Sequence, residues 1–233
     1  MALGQVLTDT VTISTTEQVH AFTFNSGGLA AANEVLTADG KLTICLMDYY
    51  HDYLGNEPSG SGLLSRVYYV EHATSAYRPS LGVVHGLSAQ TIYPESSGND
   101  DDVCHINSYI GASPPTWAAM RGDETTSGTT RRDTTYDAFG MYSFSGSGRG
   151  SDQIRSLRRN YFVFDLSAIT ESGDADSFKF NCRLDNLSST GGDADKAILI
   201  QATALAGDTS DYGNCYVADT AVTYDAIFFG ANF

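Results

Sequence analysis

Basic residues are scarce in this chain of 233 residues: 13 Lys and Arg stand against 28 Asp and Glu, a net charge of −15. A surface that acidic repels phosphate backbones and anionic headgroups, so no nucleic acid partner and no membrane-surface role is expected. The densest basic stretch, Arg149 to Arg159, holds four Arg but interleaves them with Asp152, Ser and Gly, too thinly to offset the rest. Long apolar runs are missing as well. The longest are strand-length, far below the roughly 20 residues that a spanning helix needs, so no membrane insertion is expected. Met1 to Gln5 has neither a basic stretch nor an apolar core, and no signal peptide is read there. Cysteines are few: Cys45, Cys104, Cys182 and Cys215 lie far apart without CxxC spacing, which excludes a zinc ribbon. Free thiols are expected over the three disulfide pairings open to an oxidised chain, because Cys182 falls in phase with Phe178, Phe180 and Leu184 and reads as a small buried hydrophobe. The chain also has no GxSxG, HExxH, GxGxxG or GxxxxGKS/T. With no such motif, no catalytic residue is nominated and the protein is expected not to be an enzyme.

What is present is strand periodicity. At 42% hydrophobic and 18% charged residues the chain is able to bury a sizeable core. Ser177 to Leu184 alternates polar and apolar with period two, a pattern that puts Phe178, Phe180, Cys182 and Leu184 on one face of a strand and on no face of a helix. Shorter runs rich in β-branched and aromatic residues recur at 11–13, 21–24, 42–46, 66–70, 161–164 and 197–200, separated by Gly, Ser, Asp and Asn. Helices are expected only at Gly28 to Val35, in a turn near Tyr50 to Gly55, and at Trp117 to Arg121 after Pro114-Pro115. Residues 94–102 and 122–135 lack an apolar phase and read as long loops. Many short strands with turn signals between them imply an all-β fold, two antiparallel sheets packed as a β-sandwich.

The stretch Asn160-Tyr-Phe-Val-Phe-Asp-Leu-Ser-Ala-Ile169 resembles the central motif of DNRLRE-type domains. These are carbohydrate-binding-module-like β-sandwiches of phage virion proteins and large secreted bacterial proteins. Arg158, Arg159, Phe164, Asp165, Leu166, Ser167 and Ile169 fit the motif, and the strands at 177–184 and 198–201 follow it in the family's order. The runs at 21–25, 42–46, 67–72 and 77–84 resemble that family's closing strands, yet they stand at the front of this chain. The resemblance therefore implies an antiparallel jelly-roll in circularly permuted order: residues 1–87 as closing strands, 88–99 as a linker loop and 100–233 as opening strands.

A sandwich without its closing strands leaves sheet edges and core open, so the two segments must pair. They pair within one chain, or with the neighbouring subunit to link copies head to tail; an excised tandem repeat gives the same order. The expected partners are copies of itself in an oligomer or polymer, with other virion proteins or surface glycans beside them. The expected location is a virion or the extracellular space. The class this favours is a non-enzymatic structural protein: a decoration or fibre protein, or an extracellular filament subunit. A carbohydrate-binding or adhesion module is the alternative.

Candidate sites are sparse. Tyr49, Tyr50 and Tyr53, beside Asp48 and Asp52, are candidate glycan-stacking rings among 14 Tyr, although core and interface use Tyr in the same way. Asp48, His51 and Asp52 place a His between carboxylates, the ingredients of a general base, but a solvated turn is the expectation there. Gly173-Asp-Ala-Asp176 and Gly192-Asp-Ala-Asp195 repeat one tetrapeptide on either side of the strand at 177–184. Asp174, Asp176, Asp193 and Asp195 are therefore candidate ligands of a structural calcium ion, while Gly-Asp is also ordinary turn chemistry. No other cofactor is expected.

Overall fold

The computed structural model describes residues 6–13, 16–38, 40–57, 64–69, 72–94, 102–111, 116–117, 128–131, 136–145, 153–188 and 196–202. The elements in chain order are β1 (Val11–Thr12), β2 (Gln18–Thr23), α1 (Ser26–Thr37), β3 (Lys41–Asp48), a π-helical turn (Tyr49–Tyr53), β4 (Leu64–Tyr68), a 3₁₀ turn (Ser75–Tyr77), β5 (Ser80–His85) and β6 (Ser88–Ile92). They continue with β7 (Asp102–Gly111), β8 (Gly128–Arg131), β9 (Tyr136–Ser145), β10 (Gln153–Asp165), a 3₁₀ turn (Leu166–Ala168), β11 (Ser177–Ser188) and β12 (Lys196–Ala202).

Strand pairing among the described residues is antiparallel throughout. One sheet runs β1-β12-β3-β10-β7-β8 and the other β6-β5-β11-β2. A third set of ladders joins them: β9 lies along the first half of β10, β4 along the last part of β11, and β4 pairs with β9. The two sheets enclose one core because the period-two faces point at each other. Leu42, Ile44 and Leu46 of β3, Phe162 and Phe164 of β10, and Leu199 of β12 meet Phe178, Phe180 and Leu184 of β11, Phe22 of β2, and Leu81 and Val83 of β5. Phe180 is the aromatic hinge of that contact, with ring centroids 5.0 Å from Phe162 and 6.0 Å from Phe164 across the layers. The all-β sandwich expected from the sequence is what forms.

Helix α1 covers one end of the sandwich. Asn25 caps it by accepting from Gly28 N at 2.8 Å, and Gly28, Ala32 and Leu36, four residues apart, form its buried stripe. Asn33 on the same helix donates to Ala175 O and accepts from Ala175 N, which fixes the chain just before β11. The helix is longer than the expected Gly28 to Val35 at both ends, because the cap lies at Asn25.

Several expectations need correction. Residues 88–92, read as the start of a linker, form β6, which pairs with β5 across a two-residue turn with Gly86 at φ +54°. The supposed loop 122–135 contains β8, a four-residue edge strand too short to show an apolar phase. The expected turn near Tyr50 to Gly55 begins one residue earlier and is π-helical. Of the expected helix at Trp117 to Arg121, only Trp117 lies within the described residues, and it is helical. Apart from these corrections, β2, β3, β4 and β5 of the 1–87 segment each pair with β9, β10, β11 or β12 of the same chain.

Candidate functional site

The densest polar chemistry among the described residues lies where β3 ends. β3 and β10 are buried on both faces: Leu42, Ile44 and Leu46 face the core, while Cys45 and Met47 lie on the other face. Arg159 and Tyr161 of β10 have the same parity and are buried too. The π-helical turn folds back over this outer face. Arg159 donates through Nε and Nη2 to the two carboxylate oxygens of Asp52 at 2.6 Å each, with the side chains 1% and 0% exposed. A bidentate pair this dry holds its geometry tightly, because either partner left alone would be an uncompensated buried charge.

Asp48 shapes the turn. Its Oδ1 accepts from His51 N at 2.6 Å and from Asp52 N at 3.4 Å, and Leu54 N closes the wide turn on Tyr49 O at 3.0 Å. Burial is the main cause that pushes the Asp48 carboxyl up to about 6, and the His51 amide and imidazole pull it partly back. His51 Nδ1 donates to the Asn56 carbonyl at 2.9 Å, since a carbonyl only accepts, and Trp117 Nε1 donates to His51 O at 3.0 Å. Beneath the turn, burial also pushes the Cys45 thiol up to about 12, so it is an inert core group. On the core side of β10, Tyr69 OH donates to Asn160 Oδ1. Asp48, His51 and Asp52 are thus buried, which overturns the expected solvated turn; the missing ingredient was Arg159, 107 residues from Asp52.

The product of this anchoring is a fixed aromatic surface. Tyr49 and Tyr53 stack with centroids 5.6 Å apart and planes 18° from parallel, both half-buried. Tyr50 is exposed and meets His51 edge-on at 5.0 Å, and Leu54 beside it is exposed as well. The three candidate glycan-stacking tyrosines therefore sit on one turn, two of them using one ring face on each other.

A second aromatic cluster was not foreseen from the sequence. His72 stacks on Tyr77 at 4.7 Å, Arg183 Cζ lies 3.9 Å from the centroid of the same ring, and Tyr68 meets both His72 and Tyr77 edge-on. Arg183 also pairs with Glu17, and Arg78 Nε donates to His72 O at 2.8 Å. The cluster straps residues 72–78 to β11. Its one readable signal was the outward phase of Arg183 on that strand.

The calcium candidates part company. Asp176 is exposed and its carboxylate accepts from Gly86 N, capping the turn between β5 and β6. Asp174 is exposed beside a shallow groove lined by Ala30, Asn33, Glu34 and Thr37 of α1. Asp193 and Asp195 lie outside the described residues. Among the described residues no group of three His, Cys, Asp or Glu side chains is placed to hold a metal, and no helix is long and apolar enough to cross a membrane. Cys45 and Cys182 are free thiols, as expected for Cys182 from its phase.

No family model, no curated protein and no solved structure matches this chain, so the likeness to DNRLRE-type domains rests on the quoted residues alone.

Proposed function

We propose that the chain is a non-enzymatic structural protein that assembles with copies of itself, as a virion component of the decoration or fibre kind or as an extracellular filament subunit. The observation that carries this reading is the interleaving of the two segments. β2 and β5, from residues 1–87, flank β11, and β3 lies between β10 and β12, so neither segment has a closed core without the other. A fold completed by insertion of one segment into another is the kind that passes strands between subunits. The buried polar cluster supports the same reading. Asp48 accepts from the backbone of the turn, His51 bonds the Asn56 carbonyl and Asp52 pairs with Arg159, contacts that shape a turn. In this account the sandwich is jelly-roll-like, and its acidic surface keeps it off nucleic acid. Light scattering and negative-stain microscopy of the purified chain test the reading: regular polymers or rings support it, and a monomer at all concentrations refutes it.

A second reading has its own observation. The Asp52–Arg159 pair holds the turn that carries Tyr49, Tyr50 and Tyr53, and a pinned ring is what stacking on a pyranose face requires. Glycan binding that Tyr50→Ala reduces at least tenfold, with unchanged unfolding, is the expected result for that module.

A further inference from the structure

The two sheets approach each other along two seams. The β4–β9 ladder closes one. Residues 6–12 close the other, between β12 and the corner where β2 leads into α1. On one side Val6 bridges Ile200, and Leu7 N donates to Leu199 O at 2.9 Å. On the other side Thr8 bridges Phe24, and Leu7 O accepts from Asn25 N at 2.8 Å. Leu199 N donates to Thr8 Oγ1 at 3.3 Å, and further along Val11 and Thr12 pair with Ala197 and Lys196. Leu7 is fully buried and belongs to the core cluster. The seam is cut for a passing backbone: a Cβ on Gly28 would lie 2.2 Å from Leu7 O, so glycine there lets α1 approach the segment.

Among the described residues, the bonds and close contacts along this groove come from residues 24–28 and 196–200. Its filler contributes main-chain hydrogen bonds plus the Leu7 side chain as anchor, which is recognition by strand addition. Such a groove makes the same contacts with residues 6–12 whichever copy of the chain supplies them. Only residues 13–17 separate β1 from β2, so a change of course in this one short connection directs the segment to a neighbouring copy.

We propose that this groove takes residues 6–12 of a second copy, so that copies are linked by exchange of this one segment. The inference rests on the assembly reading above and narrows it from a whole 1–87 segment to a single strand with Leu7 as its anchor. The contact is heterologous: the segment of one copy enters the groove of the next, and the series ends only by closing into a ring.

The β1–β12 register supplies the test. Thr12 and Lys196 are paired residues, Thr12 is exposed, and antiparallel partners stand about 4.5–5.5 Å apart at Cα, within reach of a disulfide. Full chains carrying Thr12→Cys or Lys196→Cys, with different tags, are refolded together from urea and oxidised. They are then read by non-reducing electrophoresis and light scattering, with a Thr12→Cys/Lys196→Cys chain showing that the pair closes. The expected product is a covalent heterodimer bearing both tags, at least about tenfold above either homodimer. Polymers without that excess overturn the exchange and leave the assembly reading standing. Monomers without it overturn both.

Discussion

At the scale of single residues, a few buried charges fix the turn after β3. Asp52 and Arg159 hold each other in a dry bidentate pair, so Asp52→Asn leaves a buried guanidinium without its counter-charge. Urea unfolding is expected to show a loss of about 3–5 kcal/mol for that variant and a smaller loss for Asp52→Leu/Arg159→Met, where neither charge is stranded. Asp48 behaves in the opposite sense. Its carboxyl is raised from near 3.8 to about 6, chiefly by burial, so the folded state holds the proton more tightly than the unfolded chain does. The associated stability is present in acid and is lost as the pH rises through 6. Asp48→Asn keeps an acceptor for His51 N and is expected to gain about 1–3 kcal/mol over the native chain at pH 8, with the gain vanishing near pH 4. Unfolding curves at the two pH values check this, and a gain that grows toward acid would refute it. The sequence brought Asp48, His51 and Asp52 together but hid their burial. Arg159 read only as part of a motif, and nothing local ties it to a carboxylate 107 residues away.

At the scale of elements, β11 was readable from Ser177 to Leu184, short of its end at Ser188, because that part is wet on one face and apolar on the other, with Lys179 outward and Phe178, Phe180 and Cys182 inward. β6 and β8 were not. Ser88–Ile92 is mostly polar and among the described residues pairs with β5 alone, and Gly128–Arg131 has four residues, so neither shows the alternation that two-sided packing imposes. β2 carries a pH-sensitive weakness that its sequence does not announce. His20 stands opposite Cys182, its Nε2 is buried without a hydrogen-bond partner, and burial lowers its pKa. The unfolded imidazole takes up its proton below about pH 6.5 while the folded one resists, so stability falls as the pH drops through that value. His20→Leu is expected to flatten this acid-side slope, as read from unfolding midpoints between pH 7 and 5; an unchanged slope would acquit His20. For α1, Gly28→Ala is expected to cost about 1–3 kcal/mol, because the new Cβ meets the backbone of Leu7 rather than a side chain able to swing away.

At the scale of the whole molecule, the central claim is that residues 1–87 and 100–233 complete one sandwich. Fold class followed from strand periodicity and turn spacing, which are local properties. Which strands become neighbours is a long-range property, and it was approached only through the order of motifs resembling a known family. The aromatic strap of Tyr68, His72, Tyr77 and Arg183 offered only the outward phase of Arg183 for the same reason, since its members come from separate strands and a connecting turn. The most direct measurement is complementation between two fragments, residues 1–93 and 100–233, followed by near-ultraviolet circular dichroism and by the fluorescence of the single Trp, Trp117, which is buried in the intact fold. Neither fragment alone is expected to show a cooperative unfolding transition, and mixing them is expected to recover the native spectrum with one cooperative transition. Fragment 100–233 unfolding cooperatively by itself, with a denaturant dependence matching a full-sized core, would contradict the claim.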